Sequence, residues 1–200
     1  MTSNNGGDRR AQAARALEQL GIFSVLSAYH PVLAGTIPLG VDLPESDLDL
    51  LCQAGDLDVF IRDVEAAYGR LPEFQANRLL IRGRSTALIQ FRAEGFAFEL
   101  FAQDRPPELQ EGYRHMVLEA RLLELAGESG RDRVRRLRAA GWKTEPAFAH
   151  WLGLEGDDPY QALLGLENWT EQELRDRIAA RETSEAGKTS DSDGSALNPA

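Results

Sequence analysis

Residues 35–50 read Gly35-Thr36-Ile37-Pro38-Leu39-Gly40-Val41-Asp42-Leu43-Pro44-Glu45-Ser46-Asp47-Leu48-Asp49-Leu50. If residues 47–52 (DLDLLC) form a strand, side chains alternate between faces. Asp47 and Asp49 then project from one side while Leu48, Leu50 and Cys52 enter the core. On its own Asp-x-Asp also suits a turn cap. Two carboxylates on one face repel, however, and a hard cation with oxygen ligands such as Mg²⁺ relieves that repulsion. A third acid lies on a separate apolar run, FAFELFAQ (96–103), where Phe96, Phe98, Leu100 and Ala102 make one face. Glu99 and Gln103 share the other face with Phe101. A Glu inside so apolar a strand needs a partner, because a lone buried carboxylate is costly. A metal shared with Asp47 and Asp49 supplies one.

Outward from that stretch, VLAGT (32–36) reads as a short strand and IPLGVDLPES as a turn-rich loop leading to DLDLLC. Ala14, Leu17, Leu20 and Ile22 give a helix-like stripe before it. Val59, Phe60, Val64 and Ala67 predict a helix over 57–69 that ends at Gly69. NRLLIRG, TALIQFRA and FAFELFAQ, covering roughly 78–103, read as three strands, with Ala93-Glu94-Gly95 as a hairpin turn. After Pro106 and Pro107 the period becomes helical, with Leu109, Tyr113, Met116, Ala120 and Leu123 in phase. Further helices are expected over 131–140, 145–153, 159–166 and 170–181. The pattern is therefore α/β (α+β), a mixed sheet flanked by helices with a C-terminal helical extension. Its expected divisions are a disordered tail over 1–7, an α/β core over 8–105, a helical region packed on that core over 106–182, and a second disordered tail over 183–200. Both tails are polar and offer little to bury.

A strand ending in Gly-Ser or Gly-Thr, about ten residues, Asp-hydrophobic-Asp on the next strand and a later strand acid together resemble the DNA polymerase beta-like nucleotidyltransferase superfamily. Gly35, Thr36, Asp47, Asp49 and Glu99 stand at those positions. More narrowly, GTIPLGVDLPESDLDLLC, FELFAQ, YRHMVLEARLL, GWKTEPAFA and GDDPY are similar to a bacterial domain-of-unknown-function family, 4269, over roughly residues 12–166. The resemblance implies transfer of a nucleoside monophosphate from a nucleoside triphosphate, with pyrophosphate leaving. It implies Mg²⁺ or Mn²⁺ held by Asp47, Asp49 and Glu99, which are also the catalytic residues. Gly35, Thr36, Ser46 and Lys143 are the expected nucleotide-binding residues, with Gln103 and His115 supporting them. Thr36 stands where Ser is common and keeps its hydroxyl. Glu99 stands where Asp is commoner, and its extra methylene bears on metal placement. The alternative is a non-catalytic nucleotide-binding or protein-interaction module, antitoxin-like or regulatory, that retains the fold.

Composition narrows the partners. With 22 Lys and Arg against 32 Asp and Glu, the formal net charge is -10, which disfavours long nucleic acid and favours a small-molecule or protein acceptor. One cysteine, Cys52, excludes a disulfide framework and a cysteine zinc motif. There is no apolar leader core and no run of membrane-spanning length, so cytoplasmic residence and no membrane partner are expected. Arg131, Arg135 and Arg138 share a helix face, which fits a solvated face better than a phosphate-gathering one. Lys143 is the better single triphosphate contact. His115, between Glu111 and Glu119 at four-residue spacing, reads first as a structural histidine and second as a residue reaching toward Glu99. Asp158-Pro159 reads as an N-cap with Pro at N1, and Cys52 as a buried small side chain. His30 and His150 lack ligand-spaced partners.

Overall fold

A computed structural model describes residues 5–191 of the chain, with side chains over 9–183. The helices are α1 (Asn5–Gln19), α2 (Ile22–Val25), α3 (Thr36–Leu39), α4 (Leu57–Tyr68), α5 (Glu111–Ala139), α6 (Thr144–Leu152), α7 (Pro159–Leu164) and α8 (Glu171–Asp191). The strands are β1 (Val32–Ala34), β2 (Leu48–Gln53), β3 (Gln75–Ile81), β4 (Arg84–Ala93) and β5 (Phe96–Gln103). They form one mixed sheet in the order β1-β2-β5-β4-β3, in which β2 and β5 run parallel and the other neighbours antiparallel. The parallel pair follows from the helical crossover through α4 together with the β3–β4 hairpin, since parallel neighbours need a long connection.

The chain divides into two compact units, Met1–Val117 and Leu118–Ala200. In the first, α1 and α4 supply Ala13, Ala16, Leu17, Phe60, Val64 and Tyr68 to a core that includes Leu48, Leu50 and Cys52 of β2 and Phe98 and Leu100 of β5. Rings stack through it, Tyr68 on Phe91 at 5.2 Å and Phe91 on Phe98 at 5.0 Å between centroids. Two-residue turns close both hairpins. Arg82-Gly83 and Glu94-Gly95 all have positive φ, the backbone that matches strand twist in such turns.

Several expectations need adjustment. The buried stripe of α1 is Ala13, Ala16 and Leu17, while Ala14 is exposed and Ile22 lies beyond a left-handed Gly21. In α4 it is Leu57, Phe60, Val64 and Tyr68, with Ala67 exposed. In α5 it runs through His115, Leu118, Glu119, Leu122 and Leu123; of the expected set Leu123 is buried, Tyr113 and Met116 are half-buried, and Leu109 and Ala120 are exposed. A break in α5 at Gly127 (φ 65°, ψ -150°) separates the two helical segments that the sequence suggested. The first unit runs to Val117, and within it residues 105–112 are tied to the sheet. The Gln110 side-chain amide donates to the Cys52 and Arg105 carbonyls, and a Cβ at Gly112 would lie 3.6 Å from both Leu51 methyls. Residues 5–7 and 183–191, expected as tails, carry helical backbone; a helix propagates by adding one hydrogen bond per residue and does not need apolar surface at each step. Stretches 1–4 and 192–200 lie outside the described residues.

Candidate metal centre

Strand register builds the site. Asp49 on β2 stands opposite Glu99 on β5 and opposite Ala34 on β1, and Gln90 on β4 stands opposite Glu99. Residues directly opposite share a face, so Ala34, Asp49, Glu99 and Gln90 form one row across four strands, on the side away from Leu48 and Phe98. Asp47, two residues before Asp49, reaches the same side from the end of the preceding loop. One carboxylate oxygen from each of Asp47, Asp49 and Glu99 lies within 4.8 Å of the other two, and all three residues are half-buried. Among the described residues no other group of three His, Cys, Asp or Glu side chains converges in this way.

Two features shape the surroundings. Gly35 has φ 79° and ψ -156°, a region L-residues avoid, and a Cβ there would overlap Asp49 Oδ2 and lie 3.0 Å from its Cγ. The Asp49 carboxylate occupies the room that a side chain at position 35 would take. Thr36, next along, is buried, and its hydroxyl has no hydrogen-bond partner among the described residues.

The loop from Thr36 to Ser46 is held from α1, which sequence reasoning did not foresee. Arg9 Nη2 donates to the Ser46 carbonyl (2.6 Å), Arg9 Nε lies 3.7 Å from Asp42, and the guanidinium sits 4.6 Å over the Phe96 ring. Arg10 Nη2 donates to the carbonyls of Pro38 (2.7 Å) and Ile37 (3.3 Å). The Ser46 hydroxyl accepts the Leu43 N–H at 2.9 Å, so it closes the turn that delivers Asp47. Gln90 is the other residue missed. Its Nε2 donates to Glu99 Oε1 at 2.6 Å.

Gln103 is four residues along β5 from Glu99, about 13 Å at strand rise. It donates to Thr86 Oγ1 (2.9 Å) and accepts from Arg105 Nε (3.2 Å). His115 is buried on α5, and Glu111 pairs with Arg82 at 3.0 Å. Lys143 belongs to the second unit, at the N-cap of α6. In that unit Arg135 pairs with Glu128 (2.8 Å) and Asp132 (3.1 Å), and Asp158 accepts the Tyr160 and Gln161 N–H groups as the N-cap of α7. Burial pushes the Cys52 thiol up to about 12, which leaves it protonated and inert as a nucleophile.

The model of a domain-of-unknown-function family (DUF4269) matches residues 15–166. The chain belongs to this family. No curated protein matches it. Among solved structures it is similar to a mutant of the Cid1 poly(U) polymerase bound to MgATP, at 12% identity and a TM-score of 0.51, covering 80% of this chain and 49% of that one. A second Cid1 poly(U) polymerase crystal structure is similar at 14% identity and a TM-score of 0.51, covering 76% and 50%. The DUF4269 chain thus spans about half the length of these polymerases, and the likeness is one of fold. The fold is of the nucleotidyltransferase type.

Proposed function

We propose that this DUF4269 chain is a metal-dependent nucleotidyltransferase that moves a nucleoside monophosphate from a nucleoside triphosphate to a small-molecule or protein acceptor. The observation that carries this reading is the convergence of Asp47, Asp49 and Glu99 within 4.8 Å beside a Gly35 backbone that leaves room for it. Three hard oxygen donors at that spacing fit Mg²⁺ or Mn²⁺, and the unpartnered Thr36 hydroxyl adds a donor suited to a phosphate oxygen. When bound, paired divalent ions supply charge stabilisation to both the attacking and leaving oxygens of an in-line displacement.

In this reading Asp47 and Asp49 hold the triphosphate side and Glu99 the acceptor side. Gly35 admits phosphate close to the backbone, the Thr36 hydroxyl contacts the triphosphate, and Ser46 keeps Asp47 in place. The acceptor oxygen forms its bond to the α-phosphorus as the bond to the β-phosphate oxygen breaks. Pyrophosphate leaves with that electron pair, and Glu99 receives the acceptor's proton. The net charge of -10 favours a small or protein acceptor. Cytoplasmic residence in a bacterium completes the proposal; among the described residues no helix is long and apolar enough to cross a membrane.

The test is incubation with α-labelled nucleoside triphosphates, Mg²⁺ or Mn²⁺ and a metabolite extract. A labelled adduct made by the wild type and absent with Asp49→Asn is expected. Triphosphate binding with no adduct and no pyrophosphate release across all four nucleotides would favour the non-catalytic module.

A further inference from the structure

We propose that Gln90 sets the cation preference of the acidic site, favouring Mg²⁺ over Ca²⁺ by confining Glu99 to one ligating oxygen. The inference rests on the metal-centre reading above. An ionised carboxylate only accepts hydrogen bonds, so the Gln90 amide must turn its nitrogen to Glu99, and the 2.6 Å contact is a short, charge-assisted bond to Oε1. The geometry is fixed from the backbone. β4 is paired on both sides, Gln90 opposite Glu99 on β5 and opposite Gln75 on β3, so the amide is carried on an inner strand.

Glu99 Oε2 is left as the oxygen whose binding does not compete with that bond. Mg²⁺ takes near-octahedral geometry and is satisfied by one oxygen per carboxylate, whereas Ca²⁺ takes six to eight oxygens and readily grips a carboxylate by both. Two-oxygen binding at Glu99 puts the cation's charge on Oε1 and weakens that oxygen as the acceptor of the Gln90 N–H, a penalty that one-oxygen binding of Mg²⁺ through Oε2 avoids. Gln90 is a positioning residue in this scheme, acting through Glu99.

The experiment loads metal-free protein with Mn²⁺ and reads its displacement by electron paramagnetic resonance, with Mg²⁺ and Ca²⁺ as separate competitors. Wild type, Gln90→Leu, Gln90→Met and Gln90→Asn are compared, and circular dichroism confirms the fold of each. The Met variant keeps the side-chain length should Leu disturb the sheet, and Asn keeps an amide too short to reach Oε1. The expected result is a preference for Mg²⁺ over Ca²⁺ that drops about tenfold in all three variants, the lower end of what outer ligand supports contribute. Equal weakening toward both ions overturns the proposal, because it describes a merely structural glutamine. An unchanged ratio overturns it too. Mn²⁺ that fails to bind the wild type, or binds Asp49→Asn equally well, overturns the metal-centre reading itself and this inference with it.

Discussion

At Gly35 the backbone sits at φ 79° with the Asp49 carboxylate filling the place of a side chain. Gly35→Ala therefore combines a strained backbone, about 1–3 kcal/mol, with displacement of Asp49. Chemical denaturation should show that loss, and Mn²⁺ binding should fall with it. Asp49→Asn is expected to behave in the opposite way when metal is absent. Three carboxylates with oxygens within 4.8 Å repel one another, so neutralising one should leave the metal-free melting temperature unchanged or higher. Mg²⁺ with a nucleoside triphosphate should raise the melting temperature of the wild type and do so far less in the variant, because ligands of the folded state stabilise by mass action. A variant that unfolds without metal would instead make Asp49 a structural hydrogen-bond acceptor. That Asp49 and Glu99 leave their strands away from the core was legible because strand alternation is a local rule, whereas Asp47 reaches them from the loop before β2. Gln90 was not legible, since a glutamine in a strand is ordinary until the register sets it opposite Glu99.

The element that most directly supports the site is α1, whose arginines grip the loop between Gly35 and Asp47. Arg9→Met keeps the aliphatic stem and removes the guanidinium that binds the Ser46 carbonyl, Asp42 and the Phe96 ring. The expected cost is about 1.5–3 kcal/mol, the range for hydrogen bonds to a charged group. With the loop loosened, Mn²⁺ affinity should fall about 10- to 100-fold, and titration calorimetry measures it. Affinity unchanged in a destabilised Arg9→Met would reduce the clamp to a fold support. These contacts span 37 residues in the case of Arg9 and Ser46, so no local pattern announces them. The short helix α3 was hidden for a different reason. Its four residues include Pro38 and end at a left-handed Gly40, the composition of a turn. The three later strands and the Glu94-Gly95 hairpin, by contrast, were written in partial alternation and a Gly-containing turn, whereas the Arg82-Gly83 hairpin was not foreseen.

For the whole chain, the family match over residues 15–166 and a sheet ordered β1-β2-β5-β4-β3 agree with the fold class legible from the sequence. Less legible was the interior of the second unit, where helical periodicity does not reveal that Glu119 is buried. Burial, then the nearby Glu145, hold the Glu119 carboxyl well above its ordinary value, opposed by Arg138. Such a carboxyl keeps its proton in the fold at a pH where the unfolded chain releases it. Its stabilising contribution is full below about pH 4.5, the unfolded value, and is lost as pH rises from there through the raised folded value. Glu119→Gln should thus gain stability relative to wild type progressively on going from pH 5 to pH 8, as followed by urea denaturation; a difference independent of pH would place the proton elsewhere. The central claim concerns the first unit, and its most direct measurement is a crystal grown with Mn²⁺ and a non-hydrolysable nucleoside triphosphate, examined by anomalous diffraction. The expected result is an anomalous peak ligated by Asp47, Asp49 and Glu99 with the triphosphate beside Gly35 and Thr36. Mn²⁺ and triphosphate bound elsewhere, with the three carboxylates making only protein hydrogen bonds, would contradict it.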